Sequence, residues 1–193
     1  SLRVGGAFVV GRGAFVSASA KGFGSGRGPS PAVMTGGLAS HGGQGAPQAL
    51  AAPDRPARTY GSILSPLSSG SGGTAREGSG HAIRGGGVIV VEAGGDVTIE
   101  GCVAANADSR DPDGANIGGA AGGSVNIRAG GKIQGDGTIT ANGGRGYHDG
   151  AGGGGGGRIA LVSGASLQMG VKRVAPPGGC GERAEPGRAG RHR

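Results

Sequence analysis

Glycine is the residue that most limits what this chain can fold into. It occupies 51 of the 193 positions, about one residue in four against the roughly 7% of average usage. Each glycine inside a helix costs about 1 kcal/mol relative to alanine, so a helical bundle is excluded. A collagen triple helix is excluded as well, because runs such as GVIVVE (87–92) break the strict Gly-X-Y period.

A repeat of 36 residues shows that the glycines follow a pattern. Residues 86–106 read GGVIVVEAGGDVTIEGCVAAN and residues 122–142 read GGSVNIRAGGKIQGDGTITAN, with eight of 21 positions identical. A third, shorter copy at 156–169 follows at an offset of 34. Repeats of this length are typical of solenoids, in which each repeat buries its apolar face against its neighbours.

Alternation within the repeats predicts strands. From Ser124 to Ala129 polar residues alternate with small or aliphatic ones, which is the period of two of a half-buried strand. Two shorter strands follow in each full copy, separated by glycines that we expect at corners with positive φ. Alignment of the copies predicts three inward columns that form a core stack: Ile89, Val125 and Ile159; Val91, Ile127 and Leu161; and Val97, Ile133 and Leu167.

Three strands in each repeat, with like residues in register, predict the fold class. We expect an all-β chain that forms a glycine-rich, right-handed parallel β-helix (a solenoid) with long irregular loops. The linking stretches 107–121 and 143–155 are expected to bulge out as such loops. Asn106 and Asn142 share a repeat position and predict a side-chain amide ladder at one corner. The alternative is that both are ordinary turn residues.

Composition divides the chain into four regions. They are a degenerate first coil (1–24), a Gly/Ser/Pro-rich excursion or linker (25–85), the β-helix repeats (86–174, with copies at 86–106, 122–142 and 156–169) and a basic disordered tail (175–193). The tail has no aliphatic residue that could continue the strand pattern. We therefore expect it to be unpacked and dispensable.

The formal charge of +7 is concentrated at the end of the chain. Residues 172–193 carry six basic and two acidic side chains. An electrostatic arm for an anionic polymer is one interpretation, and it would bind in a salt-sensitive way. No aromatic residues interleave with these arginines, so we expect no nucleic-acid partner. No apolar run approaches the length of about 18 residues that a membrane span requires.

The two cysteines exclude some classes of protein without fixing the compartment. Cys102 and Cys180 are far apart in the sequence, and neither belongs to a C-x-x-C pair. This excludes a disulfide-dense scaffold and a cysteine zinc site. We expect two free thiols, and one long-range disulfide is the alternative.

Four motifs together resemble a known family. In chain order they are HGGQG (41–45), YGSILSPLSSGSGG (60–73), ITANGG (139–144) and GGGGRIALVSG (154–164). As an ordered set they resemble the glycine-rich, pectate-lyase-like parallel β-helix repeat proteins of microbial and algal surfaces, which are similar to adhesin stalks. The resemblance covers about residues 2–164. It implies an extracellular or cell-surface location and a structural or adhesive role, without a known reaction.

One group of carboxylates is a candidate metal site. Asp108, Asp111 and Asp113 lie within six residues of each other, and oxygen-rich loops can hold Ca²⁺. Their spacing does not fit an EF-hand loop, however, and Asp, Pro and Gly also form ordinary turns. We therefore expect no cofactor and no catalytic residue, with a weak Ca²⁺ site at these three residues as the alternative.

Opposite charges occupy equivalent repeat positions, Glu92 with Arg128 and Asp96 with Lys132. We expect ladder pairs worth a few tenths of a kcal/mol each rather than a catalytic set. The sequence thus predicts a non-catalytic structural or adhesive β-helix segment of a surface or secreted protein. Its expected partners are neighbouring coils or the protomers of a larger assembly. The alternative is a β-helix protein that binds or cleaves polysaccharide.

Overall fold

The structure, a computed structural model, describes residues 1–31, 39–46, 58–74, 82–109, 118–146 and 152–170. No helix occurs among these residues, which form short strands joined by irregular backbone. The strands are β1 (Leu2–Val4), β2 (Phe8–Val10), β3 (Phe15–Ser17), β4 (Val88–Ala93), β5 (Val97–Ile99), β6 (Cys102–Ala104), β7 (Ser124–Ala129), β8 (Ile133–Gly135), β9 (Thr138–Thr140), β10 (Arg158–Ser163) and β11 (Leu167–Met169).

The strands form three parallel sheets. The strand order is β1-β4-β7-β10 in the first sheet, β2-β5-β8-β11 in the second and β3-β6-β9 in the third. Consecutive strands therefore enter different sheets, and we call each such group a coil: β1–β3, β4–β6, β7–β9 and β10–β11. The prediction of an all-β fold is confirmed, and its sheets are parallel throughout these pairings.

The strand register follows the sequence repeat. Val88 of β4 lies opposite Ser124 of β7, 36 positions later. Ser124 in turn lies opposite Arg158 of β10, at the offset of 34 that separates the second and third copies. Identical offsets in sequence and in register mean that equivalent residues of successive coils stand side by side.

The apolar core lies between the three sheets in the two middle coils. Val125, Ile127 and Ile133 of the third coil have no exposed surface. In the last coil, Ile159 pairs with Val125 and Leu167 pairs with Ile133, yet they are 45% and 53% exposed. No further strand pairs with β10 or β11 among the described residues, so the inward columns end at exposed side chains.

A second layer of the structure consists of glycine-rich backbone without regular strands. We call it the glycine layer, and its segments are 18–28, 39–46, 70–74, 82–87, 105–109, 118–123, 141–146 and 152–157. The segments bond directly to each other: the Gly70 amide donates to the Gly86 carbonyl (2.8 Å), and the Gly86 amide donates to the Ala121 carbonyl (2.9 Å). A Cβ on Gly86 would overlap the Ala105 carbonyl oxygen. Glycine is therefore required here because backbones meet where a side chain has no room.

The expectation of positive-φ corners is wrong for most of the repeat glycines. Among the described glycines, φ is positive only at Gly13, Gly26, Gly28, Gly61 and Gly135. Glycine is needed at these positions for another reason. A neighbouring backbone lies too close to leave room for a Cβ, and this is so at any value of φ.

The described ends of the two linking stretches, 107–109, 118–121, 143–146 and 152–155, belong to the glycine layer. The residues between these ends lie outside the described ranges, so the outward loops stay a prediction. The Gly144 amide donates to the Ala120 carbonyl (2.8 Å), and Ala120 and Ala121 have no exposed surface. The described ends stay close to the layer because their backbone groups bond to neighbouring segments instead of water.

Polar side chains at the corners join one coil to the next. The Asn142 backbone amide donates to Asn106 Oδ1 (2.8 Å), so this contact joins a side chain to the backbone, whereas an amide-to-amide ladder was expected. The Lys132 amide donates in the same way to Asp96 Oδ1 (2.7 Å). Each of these oxygens therefore satisfies a backbone N–H of the following coil.

Parts of the prediction lie outside the described residues. They include the tail from residue 175, with Cys180, and the segment that holds Asp111 and Asp113. Within the part of the chain that the structure describes, no helix is long and apolar enough to cross a membrane.

Substitution of Gly86 tests whether the glycine layer holds the fold together. A methyl group at Gly86 would overlap the Ala105 carbonyl, so we expect Gly86→Ala to lower the free energy of unfolding by about 3 kcal/mol. Gly156→Ala is the matched control, because a Cβ there meets nothing within 4 Å. The control should change stability by less than about 1 kcal/mol. Urea unfolding measures both values, and equal effects would contradict the close-approach explanation.

Candidate functional site

The outward face of the first sheet is covered by residues 58–69, which we call the strap. Ser124 Oγ donates to the Ser68 carbonyl (2.6 Å), and Arg128 Nη2 donates to the Leu64 carbonyl (3.2 Å). Ser124 and Asn126 point away from the apolar core, yet they are only 0% and 2% exposed. The strap therefore buries a polar strip that strand alternation alone predicts to face solvent.

The strap presents most of its apolar side chains outward. Pro66 is fully buried, whereas Ile63, Leu64 and Leu67 are 74%, 80% and 60% exposed. Contact with the sheet thus depends on Pro66 and on bonds from the sheet side chains to strap carbonyls, with little contribution from apolar area.

His41 occupies the most enclosed position at one end of the strap. The residue has no exposed surface, and its ring lies 4.7 Å from the Tyr60 ring, centroid to centroid. Its Nδ1 is 2.8 Å from the Gly122 carbonyl oxygen. A carbonyl can only accept, so Nδ1 carries the proton and Nε2 is left with a lone pair. Nε2 is buried and has no hydrogen-bond partner.

Tyr60 and Arg158 complete the cluster around His41. The Tyr60 amide donates to the His41 carbonyl (3.0 Å), and Arg158 Nε donates to the Tyr60 carbonyl (2.9 Å). The Tyr60 hydroxyl donates to the Ser69 carbonyl (2.6 Å) and lies 2.9 Å from Ser71 Oγ. Strap, glycine layer and first sheet therefore meet at this point.

Burial governs the ionisation of both rings. Burial lowers the pKa of His41 below its ordinary value, and the nearby Arg158 charge lowers it further, whereas the bond to Gly122 opposes the shift. Burial raises the pKa of Tyr60, and its bonds to Ser71 oppose that shift. Both side chains are thus neutral near pH 7.

A histidine, a tyrosine and an arginine are residue types that many enzymes use for acid–base chemistry. Here each is turned toward backbone. His41 has no surface for a substrate to reach, the Tyr60 hydroxyl is bonded to Ser69, and Arg158 bonds a strap carbonyl. The arrangement is suited to holding the strap on the sheet.

An open groove of about 520 Å³ lies where β1, β4 and β7 end. Arg3, Glu92 and Arg128 line it, and Arg3 Nε lies 2.7 Å from Glu92 Oε2. The strand register places Glu92 opposite Arg128, as predicted. Their charges pair differently from the prediction, because Glu92 binds Arg3 and Arg128 bonds to the strap. The Asp96–Lys132 pair also differs: Asp96 accepts from the Lys132 backbone amide.

The candidate Ca²⁺ site is only partly within the described residues. Asp108 is 7% exposed, and its backbone amide donates to the Arg84 carbonyl (2.8 Å). Asp111 and Asp113 lie outside the described ranges. Among the residues that are described, no three His, Cys, Asp or Glu side chains form a group that could hold a metal ion.

The expectation of a free thiol at Cys102 is wrong. Cys102 is disulfide-bonded and only 6% exposed in β6. The sequence could not decide between a free thiol and a disulfide. A disulfide requires two Cα atoms within about 7 Å, and the spacing of two cysteines along the chain does not determine that distance.

Sequence reasoning missed the His41–Tyr60–Arg158 cluster. The three residues are 19 and 98 positions apart, so no local spacing joins them. One signal was present: each belongs to a motif that carried the family resemblance, HGGQG, YGSILSPLSSGSGG or GGGGRIALVSG. Comparison of the chain with protein-family models, with curated proteins and with solved structures finds no match.

Removal of the Tyr60 hydroxyl tests how firmly the strap is held. Tyr60→Phe loses the bonds to Ser69 and Ser71, and we expect the free energy of unfolding to fall by about 1 kcal/mol. Tyr60→Ala also loses the ring that packs on His41, so we expect a fall of about 2–3 kcal/mol. Urea denaturation measures both changes. An unchanged midpoint in Tyr60→Ala would show that the strap does not contribute to stability.

Proposed function

We propose that this chain is a segment of a right-handed, glycine-rich parallel β-helix with a non-catalytic structural or adhesive role in a surface or secreted protein. The observation that carries the proposal is the use made of the polar side chains. His41, Tyr60, Arg158, Asp96 and Asn106 all bind backbone groups of neighbouring segments. Side chains that bind backbone groups in this way stabilise the fold and are not available to act on a substrate.

The strand topology supports the β-helix part of the proposal. Consecutive strands enter three different sheets, and each sheet adds one parallel strand per coil. A chain that winds continuously through three faces produces this order, and a right-handed path is strongly preferred for parallel crossovers. The resemblance to pectate-lyase-like repeat proteins is part of the same proposal.

The disulfide at Cys102 supports an extracellular location. Disulfides persist in oxidising compartments and are rare in reducing ones. A bonded, buried cysteine therefore favours secretion or the cell surface. Neighbouring coils or protomers of a larger assembly remain the proposed partners.

Polysaccharide binding is the second candidate function, and the groove at Arg3, Glu92 and Arg128 favours it. Two guanidinium groups in an open groove can bind the carboxylates of an acidic polysaccharide. The Arg3 side chain is 80% exposed and is therefore accessible to such a polymer.

An assay on acidic polysaccharides tests the non-catalytic proposal. The full chain is incubated with polygalacturonate and with alginate, and unsaturated products and new reducing ends are followed. We expect no depolymerisation above the blank. Depolymerisation that Asp111→Ala or Tyr60→Phe abolishes would contradict the proposal and favour an enzyme.

A matched pair of arginine variants tests the second candidate. Arg3 and Arg12 are both exposed and both face a glutamate of the second coil, Glu92 at 2.7 Å and Glu100 at 3.6 Å. If the groove binds polygalacturonate, Arg3→Gln should weaken binding by about fivefold. Arg12→Gln, which removes the same charge outside the groove, should change it less than about twofold. Equal losses in titration calorimetry would indicate non-specific attraction to the net positive charge.

A further inference from the structure

His41 holds one end of the strap. Its ring can be protonated at Nε2, but the new N–H would have no hydrogen-bond acceptor. His41 has no exposed surface, its Nδ1–H is already used by the Gly122 carbonyl, and Nε2 has no partner. A proton on Nε2 would create a buried cation whose second N–H is unsatisfied. Keeping such a group buried is energetically unfavourable.

The groups around the ring do not offset that charge. Arg158 of β10 already carries a positive charge and acts on His41 electrostatically. From the strap, Tyr60 contacts the ring and is neutral in the acidic range. The other two segments around the ring, 39–46 and 118–123, contain no charged side chain. No carboxylate therefore faces His41 from any of these elements.

The same ring also sets the position of the strap. The Tyr60 amide donates to the His41 carbonyl (3.0 Å), and the two rings are in contact with their planes tilted by 37°. Gly61, with φ of +83°, follows immediately, and a Cβ there would lie 3.3 Å from His41 Nε2. Any outward movement of the imidazole must therefore displace the strap at residues 60 and 61.

We propose that protonation of His41 releases the strap from the first sheet, so that mild acid uncovers the polar strip at Ser124 and Asn126. The strip is attached to the strap by the Ser124 bond to Ser68 and by a long contact of 3.4 Å between Asn126 Nδ2 and Ser65 Oγ. Asn126 Oδ1 is itself buried without a partner and gains access to water when the strap leaves.

The direction of the pH dependence follows from the direction of the pKa shift. The pKa of His41 is lowered while the strap is docked and returns toward its ordinary value of 6.5 when the ring is exposed. The docked state therefore has its full stability above pH 6.5 and loses stability as the pH falls below that value. This inference does not depend on the proposed structural or adhesive function.

Hydrogen exchange of the strap provides the test. Exchange of the Tyr60 amide reports docking, because this amide bonds the His41 carbonyl. The Val97 amide, which bonds Lys132 in the core (2.8 Å), reports the rest of the fold. After correction for intrinsic rates, we expect Tyr60 exchange in the full chain to rise about tenfold from pH 7.5 to pH 5.5, with Val97 unchanged.

Histidine variants assign the effect to His41. His41→Gln retains a donor for Gly122 but cannot be protonated, so its Tyr60 exchange should change less than about twofold over this range. The matched control replaces His81, His148 and His192 by Gln, and it should keep the wild-type response.

Four outcomes would overturn the proposal: no acid response in the wild type, an equal response in His41→Gln, loss of the response in the triple variant, or simultaneous exposure of Val97. If His41→Gln does not fold, an NMR titration of the wild-type imidazole decides the question. A His41 pKa at or above 6.5 would contradict the proposal, and a lower value with matching strap release would support it.

Discussion

Backbone-to-backbone hydrogen bonding between glycine segments is the constraint on which the rest of this structure depends. Carbonyls of one segment lie where the Cβ of another would be, as at Gly86 against Ala105 and Gly122 against Ala141. Ordering so many glycines is entropically unfavourable. The compensation comes from a dense set of bonds, each worth about 0.5–1.5 kcal/mol net. The aliphatic core between the sheets can therefore be small, since close-packed backbone fills much of the remaining interior.

The glycine layer also determines which side chains are available for function. The Gly42 and Gly43 amides bond the Gly156 carbonyl (3.0 and 2.9 Å), and this contact fixes His41 beside the first sheet. The strap is attached to His41 through the Tyr60 amide, and it ends where Gly70 bonds to Gly86 of the glycine layer. Polar residues that alternation turns outward, such as Ser124, are buried as a consequence. The burial of His41, which lowers its pKa, thus follows from the packing of backbone segments around it.

The sequence predicted the parts of the fold that depend on side-chain periodicity. The 36-residue offset between copies is the pairing offset of β4 and β7, and alternation from Ser124 to Ala129 marks a strand. The role of glycine could not be predicted in this way. A glycine required by positive φ, as at Gly13, and one required by close approach, as at Gly86, have the same sequence signature. The partner of Arg128 could not be predicted either. Arg128 donates a hydrogen bond to the strap, and nothing in the repeat indicates that the strap lies beside it.

The distribution of exposed apolar residues indicates where the stack is weakest. Ile133 has no exposed surface, whereas Leu167, which pairs with it in the last coil, is 53% exposed. Leu2 in the first coil, which pairs with the buried Val91, is 44% exposed. In an array of coils each unit gains stability mainly from its neighbours. Among the described residues the first and last coils pair with one neighbour each, whereas the middle coils pair with two. The strap crosses between these regions, since it bonds Arg128 in the third coil and Arg158 in the last. Its docking therefore adds tertiary contacts to the last coil, in which Ile159 and Leu167 are exposed. Release of the strap would remove these contacts from a coil that pairs with only one neighbour among the described residues.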